Sequence, residues 1–339
     1  MSAYLIIISF PKLKSLETEG VEFSNEYWNE KLFSNCPVLE DFRIEHCTWF
    51  GMPNFCISTP ALKHLKIDNW DDGLRGCTLK VHAPNLETLY YNGSVAKEYV
   101  LTAFPLLVRA AVQFRFKPYV ATRKQRISHG AAISQFLRAL ANIKHLFVSD
   151  GTLQAISFAV DLLEKLPTLR NTKELIMFEE VTAHKTLIAL LKATPNLKLL
   201  VFNKTEPPIS DDEEEDYVVD DDADAAEGED NHGSEDDVAG SDADAAEGED
   251  DDWTRDVGAD SGSLFPHLKS VYFKEFIGNP MEMEWMKLIL MNAKALRTMS
   301  ISSCAHSYLL NTKKKEELMA HISSLPRAST SCVVEFPSW

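Results

Sequence analysis

The apolar positions of this chain recur in one phrase, Pro-x-Leu-x-x-apolar-x-apolar. It reads Pro37-Val38-Leu39-Glu40-Asp41-Phe42-Arg43-Ile44, then Pro60-Ala61-Leu62-Lys63-His64-Leu65-Lys66-Ile67, then Pro84-Asn85-Leu86-Glu87-Thr88-Leu89-Tyr90-Tyr91. Weaker copies begin at Pro11 and Pro105, so successive prolines lie 26, 23, 24 and 21 residues apart. The end of each phrase alternates with period two, which predicts a strand with one buried face. The first Leu packs from the preceding turn, and proline stands ahead of the strand, where its missing N–H costs no ladder bond. The phrase returns, less perfectly, at Ile143–Val148, Glu174–Phe178, Pro195–Phe202, Pro266–Phe273 and Leu296–Ile301.

Between the later copies the apolar period changes to that of a helix, over Ala131–Leu140, Leu153–Leu166, Leu187–Lys192 and Met283–Met291. The early connections, Gly51–Ser58 and Asp71–Gly76, look too irregular for helices. Repeats of about 20–29 residues ending in Leu-x-x-Leu-x-Ile are leucine-rich in type, and one unit cannot bury its own face, so units stack. The predicted fold class is therefore α/β: a leucine-rich-repeat solenoid, with parallel strands on the concave face and helices or irregular loops on the convex face. Leu39, Phe42, Ile44, Leu62, Leu65, Ile67, Leu86, Leu89, Leu197 and Leu200 are the predicted core. Tyr4–Phe10 reads as a buried strand.

Charge divides the chain. The 339 residues carry a net charge of −17, but the stretch Asp211–Asp260 holds 25 acids and one base, Arg255, leaving the remainder at +7. A nonapeptide is duplicated within it, at Asp222–Asp230 and Asp242–Asp250. Its only large apolar residues up to Asp252 are Tyr217, Val218, Val219 and Val238, too few for a core. The expected organisation is leucine-rich repeats over 1–209, a disordered acidic insertion over 210–262, and repeats again over 263–339. The six cysteines show no C-x-x-C spacing, no run is long enough to span a membrane, and no secretory leader opens the chain. These features predict reduced thiols and a cytoplasmic or nuclear protein.

No catalytic constellation is legible: no phosphate loop, no nucleophile elbow, no H-E-x-x-H. The expectation is a protein that is not an enzyme, with no cofactor, no metal, no nucleic-acid partner and no membrane association. His46, Cys47 and Cys56 match no zinc module and read as ordinary repeat positions. Arg123, Lys124 and Arg126 read as a solvated basic loop able to pair with the acidic insertion. What remains is the outward strand face. Its early positions are polar: Asp41, Arg43, Glu45, then His64, Lys66, Asp68, then Thr88, Tyr90, Asn92. Its later positions turn apolar at Phe147, Ile176, Phe178, Leu199 and Val201, which are the predicted partner-binding residues, since exposed apolar patches mark interaction sites.

Particular segments resemble plant F-box/LRR proteins. Phe10-Pro11-Lys12-Leu13-Lys14-Ser15-Leu16, Trp28, and Asn35-Cys36-Pro37-Val38-Leu39-Glu40-Asp41-Phe42 look like that family's repeat region. Leu268-Lys269-Ser270-Val271, Phe276-Ile277-Gly278, Asn292-Ala293-Lys294-Ala295-Leu296 and Leu325-Pro326-Arg327-Ala328-Ser329-Thr330-Ser331-Cys332-Val333-Val334 look like its C-terminal FBD domain. The resemblance implies the target-holding part of an SCF-type ubiquitin ligase receptor. Nine residues precede Phe10, too few for an F-box, so a Skp-type adaptor is an expected partner only if an F-box is supplied upstream. The alternative is a chaperone-like or chromatin-associated protein that binds basic partners through the acidic segment.

Overall fold

The computed structural model describes residues 10–24, 33, 36–69, 74, 76–115, 121–159, 163, 166–205, 264–303 and 312–338. The expectations for residues 4–9, Trp28 and 210–262 fall outside them. In chain order the first strands are β1 (Ser15–Glu19), β2 (Glu22–Ser24), β3 (Asp41–Glu45), β4 (Thr48–Phe50), β5 (Asn54–Ser58), β6 (His64–Asn69), β7 (Thr78–His82), β8 (Thr88–Ser94), β9 (Glu98–Leu101) and β10 (Arg109–Arg115). Helices then enter: α1 (Arg123–Ala139), β11 (His145–Ser149), α2 (Asp150–Ser157), β12 (Glu174–Phe178), α3 (His184–Ala193) and β13 (Leu199–Asn203). The chain ends with β14 (Ser270–Phe276), α4 (Pro280–Asn292), β15 (Thr298–Ser303), α5 (Thr312–Ser324) and β16 (Val333–Ser338).

One parallel sheet of 11 strands, β1-β3-β6-β8-β10-β11-β12-β13-β14-β15-β16, organises all of this, and its strands lie in chain order. Each phrase of the sequence supplies one strand. The proline has a more definite role than avoiding the ladder: it is the second residue of a four-residue turn. The N–H of Leu39 donates to the Cys36 carbonyl across Pro37 (3.2 Å), Leu62 to Thr59 across Pro60 (3.2 Å), Leu86 to Ala83 across Pro84 (3.1 Å) and Leu197 to Thr194 across Pro195 (3.1 Å). Proline's fixed φ suits that position. The residue after proline ties repeat to repeat: Asn85 Nδ2 donates to the Pro60 carbonyl and Asn196 Nδ2 to the Arg170 carbonyl, both at 2.8 Å.

The register carries the core. Leu16, Phe42, Leu65, Leu89, Ala110, Leu146, Leu175, Leu200, Val271, Met299 and Val334 stand beside one another across the sheet. All ten residues predicted for the core are at most 5% exposed and belong to one apolar cluster. The layer behind the sheet changes along the chain. Behind the early repeats lie two small parallel sheets, β2-β4 and β5-β7-β9. Residues 51–58, which look irregular in sequence, thus contain a strand, because Phe55 and Ile57 alternate inward (3% and 0% exposed). Behind the later repeats the layer is helical. The two regimes meet at Tyr91, Tyr99, Phe114 and Phe136, whose ring centroids lie 4.9–6.0 Å apart. The buried hydroxyls are satisfied there: Tyr99 donates to Tyr91 (3.0 Å), and Tyr91 donates to the Ser94 carbonyl (2.6 Å).

Capping fixes where the helices begin. Thr122 and Gln125 form a reciprocal box at the start of α1, and Asn279 and Glu282 form another ahead of Pro280 in α4. Arg123, Lys124 and Arg126 therefore lie in the first turns of a helix rather than in a loop, and the Arg126 guanidinium sits 5.0 Å from the Phe158 ring. Gly130 lets α1 approach α2, since a Cβ there would meet the Ala159 Cβ at 2.7 Å.

Replacing Leu65 by Asp places a carboxylate 2% exposed in the middle of this register. Burial of an unpaired charge costs several kcal/mol, so Leu65→Asp is expected to lose cooperative thermal unfolding by circular dichroism. A parent-like melting curve would contradict the register.

Candidate functional site

Strand alternation sends every second side chain of the main sheet away from the core cluster. The register arranges these outward residues in rows. The central row runs Glu17, Arg43, Lys66, Tyr90, Ala111, Phe147, Ile176, Val201, Tyr272, Ser300, Glu335. On one side stand Asp41, His64, Thr88, Arg109, His145, Glu174, Leu199 and Ser270. On the other stand Glu45, Asp68 and Asn92, and further along Ser149, Phe178 and Asn203. The polar-to-apolar change expected from sequence is thus a real feature of one continuous face.

In the polar half the charges pair across strands. Lys66 Nζ lies 2.7 Å from Glu45 and 4.0 Å from Asp68. Asn92 Nδ2 donates to Asp68 Oδ1 at 3.1 Å, and Arg115 Nε donates to Asn92 Oδ1 at 2.8 Å. The Lys66 ammonium also sits 5.6 Å from the centre of the Tyr90 ring. Burial pushes the Asp68 carboxyl above its ordinary 3.8; Lys66 offsets part of that, and the nearby Glu45 adds to it. His64 Nδ1 pairs with Thr88 Oγ1 (2.8 Å) and His145 Nδ1 with Glu174 (2.7 Å), so both histidines hold outward strand positions as expected.

The apolar half is mixed in exposure. Phe147, Ile176 and Leu199 are half-buried, but Phe178 is 1% exposed and Val201 7%. Phe178 and Val201 keep outward parity and stand apart from the main core cluster, yet they are closed to solvent. Val201 is flanked in register by Ile176 and Tyr272. The accessible stripe is therefore Phe147, Ile176 and Leu199, joined by Tyr272 (37% exposed), which the sequence reading missed. Arg109 borders it, its guanidinium 5.9 Å from the Phe147 ring.

Three carboxylates at the C-terminal ends of the strands hold the loops. Asp150 accepts from the N–H groups of Thr182 (2.9 Å) and Ala183 (3.1 Å). Glu179, in a left-handed conformation (φ 69°), accepts from Gln113 Nε2 (3.0 Å) and the Gly151 N–H (3.2 Å). Glu282 accepts from the N–H groups of Gly278 (2.8 Å) and Asn279 (3.0 Å) and pairs with Lys204 (2.9 Å). Beside Glu282 is a shallow cleft with Phe202, Phe273 and Trp285 in its walls. The Trp285 indole N–H donates to His184 Nδ1 (3.0 Å), and burial holds the His184 ring below its ordinary pKa, which suits an accepting, neutral imidazole.

Among the described residues no group of three His, Cys, Asp or Glu side chains is placed to hold a metal. Cys47 is buried, its thiol donating to the Glu45 carbonyl (3.2 Å). The described cysteines, Cys36, Cys47, Cys56, Cys77 and Cys332, are not joined in disulfides. No helix among the described residues is long and apolar enough to cross a membrane.

No family model matches the chain. Curated proteins do. An F-box/LRR-repeat protein of Arabidopsis thaliana is 28% identical over 201 residues, covering 58% of this chain and 52% of its own. A second from the same plant is 28% identical over 197 residues, 58% of this chain and 41% of its own. An Arabidopsis F-box/FBD/LRR-repeat protein is 28% identical over 208 residues, 57% of this chain and 40% of its own. The matched region thus spans about half or less of the curated relatives.

Asp68 supplies a test of the face's electrostatics. A carboxyl whose folded pKa is raised favours the fold below its unfolded value, and that contribution is lost as pH rises through the folded pKa. Asp68→Asn removes the buried charge and keeps an oxygen for Asn92. It is expected to melt a few degrees above the parent at pH 7, with the difference closing as pH falls below 3.8. A variant that melts lower at pH 7 would mean the Lys66 pairing outweighs burial.

Proposed function

We propose that this chain, similar over part of its length to plant F-box/LRR-repeat proteins, is a non-enzymatic protein-interaction module built as a leucine-rich-repeat solenoid. Residues 1–209 and 263–339 form its repeat array, and 210–262 interrupt it. The outward strand face is the concave, target-holding surface. In the cell the module serves as the substrate-receptor portion of an SCF-type ubiquitin ligase, in the cytoplasm or nucleus. The Skp-type adaptor is engaged by an F-box, and the repeats hold the target.

One observation carries the reading: half-buried Phe147, Ile176 and Leu199 and exposed Tyr272 lie on four adjacent strands in the apolar half of the outward face. Apolar surface of this kind gains about 25 cal/mol for each Å² a partner covers. A central aromatic there acts as an anchor worth ~2 kcal/mol or more. Phe178 and Val201 share the face but are closed to solvent, so they do not meet the target.

The triple variant Phe147→Ser, Ile176→Ser, Tyr272→Ser is expected to keep the parent's fold by circular dichroism. It should lose, by quantitative mass spectrometry, the proteins that the parent chain retains from plant extract. Equal retention by parent and variant would remove the stripe from the target site. A loss of several kcal/mol of stability, as core truncations give, would assign it to the core.

The ligase link has its own measurement. Residues 1–339 are expected not to co-purify with a Skp-type adaptor, whereas a fusion carrying an F-box ahead of them does. Micromolar or tighter adaptor binding by residues 1–339 would show that another surface recruits the ligase.

A further inference from the structure

The residue just ahead of each main-sheet strand forms a row of its own along the sheet's N-terminal edge. Its backbone N–H donates to the carbonyl of the equivalent residue one strand earlier. The row runs Lys14, Glu40, Lys63, Glu87, Val108, Lys144, Lys173, Lys198, Lys269, Arg297, linked at 2.7–3.0 Å. Its first half alternates in sign and neutralises itself: Glu40 lies 3.1 Å from Lys14 and 2.8 Å from Lys63. Its second half is five cations in succession.

Lys144, Lys198, Lys269 and Arg297 are exposed and Lys173 is half-buried. Parallel strands are spaced about 4.8 Å apart, so the five charges follow one another along roughly 20 Å. Among the described residues, the ion pairs fall elsewhere and none involves these five. The nearby carboxylate of Glu174 is engaged by His145 at 2.7 Å. A linear run of like charges without counter-charges attracts a flexible polyanion.

We propose that this strip is the seat of the chain's own acidic stretch, Asp211–Asp260. That stretch carries a net charge of −24. The described body breaks after Thr205, at the end of β13, and resumes at Leu264, five residues before Lys269. The return point at Leu264 therefore lies beside Lys269 on the strip's own edge, whereas Thr205 leaves from the opposite, C-terminal end of β13. Eleven residues lie between Asp252 and Leu264, a tether of ~40 Å at full extension, twice the length of the strip. Tethering of this kind supplies an effective local concentration in the millimolar range. The strip lies along the edge of the sheet, so the contact is independent of the target stripe on its face.

Carbodiimide cross-linking, which joins an amine to a touching carboxylate, tests this on the full chain mixed from unlabelled and ¹⁵N-labelled copies. At low salt, Lys144, Lys173, Lys198 and Lys269 are expected to link to carboxylates of 211–260 within one copy. Yield should fall at least fivefold in 0.5 M NaCl, as screening shortens the reach of exposed charges. Links predominantly between labelled and unlabelled copies would overturn the proposal in favour of a second copy. Links made instead through Lys124 or Lys313–Lys315, or none to the strip, would overturn it outright.

A second arm uses a synthetic peptide with the sequence of residues 211–230. A full-length chain whose acids in 211–260 are changed to Asn and Gln should bind it at least tenfold more tightly than the intact chain. Adding Lys144→Gln, Lys173→Gln, Lys198→Gln, Lys269→Gln and Arg297→Gln should abolish that gain while leaving the melting curve unchanged. Equal binding by the intact and neutralised chains would sink the idea.

Discussion

Everything in this molecule depends on one parallel register, held without a slip from β1 to β13. Side chains alternate with period two, so a shift of one residue in any strand would exchange its core face for its outward face. The chain secures the register at the turn rather than in the strand. Each proline presets a turn that delivers the leading Leu into the core, and each following strand starts at the same height. Asn85 and Asn196 then bond back to the preceding repeat. Because the turn fixes the register, every repeat position becomes a row: one for the core, one for the outward face, one for the edge. Irregularity appears only late, between Phe273 and Phe276 and between Ser300 and Ser302.

The layer behind the sheet obeys a different constraint, that of filling space against a fixed row spacing. The early connections are short and close with small sheets, whereas the later ones carry helices that need more room. The aromatic cluster of Tyr91, Tyr99, Phe114 and Phe136 fills the step between the two. Two phenols buried completely require partners, and burial raises both Tyr91 and Tyr99 well above the ordinary phenol pKa. Tyr99 donates to Tyr91, Tyr91 donates to the Ser94 carbonyl, and the Ala96 N–H donates to Tyr99, so the junction gains large apolar area without an unmet hydroxyl. Gly93 belongs to the same solution: a Cβ there would stand 2.9 Å from the Asn69 carbonyl oxygen on the neighbouring strand.

The main sheet was readable because period-two alternation and proline spacing are local signals that the fold repeats. The ten core positions and the polar outward rows follow from them directly. The second layer was less readable. Asn54–Ser58 alternates too weakly, with Cys56 half-buried between Phe55 and Ile57, to announce a strand. The first turns of α1 are polar, so apolar periodicity placed its start at Ala131, although the Thr122–Gln125 capping pair marks it earlier. Phe178 and Val201 show the limit of parity. Alternation tells which way a side chain leaves the strand, but not whether its neighbours on that face are tall enough to enclose it. Tyr272 was missed for the converse reason, since it follows the acidic stretch and was not read as continuing the row begun by Phe147.

Asp150, Glu179 and Glu282 show a division of labour that no local pattern displays. Each is a carboxylate spent on backbone N–H groups of loops at the C-terminal ends of the strands, where a parallel sheet leaves its connections without ladder partners. Asp150 binds the loop before α3, Glu179 binds the start of α2, and Glu282 binds the loop before α4. Two of the three reach into an adjoining repeat, so the loops are braced by neighbours rather than by themselves. Rigid loops at that end and a fixed turn at the other leave the apolar stripe of the outward face and the cationic half of the edge row outside the described ion pairs. A partner that meets them encounters charges and apolar groups already held in rows, and little of its binding energy goes into ordering them.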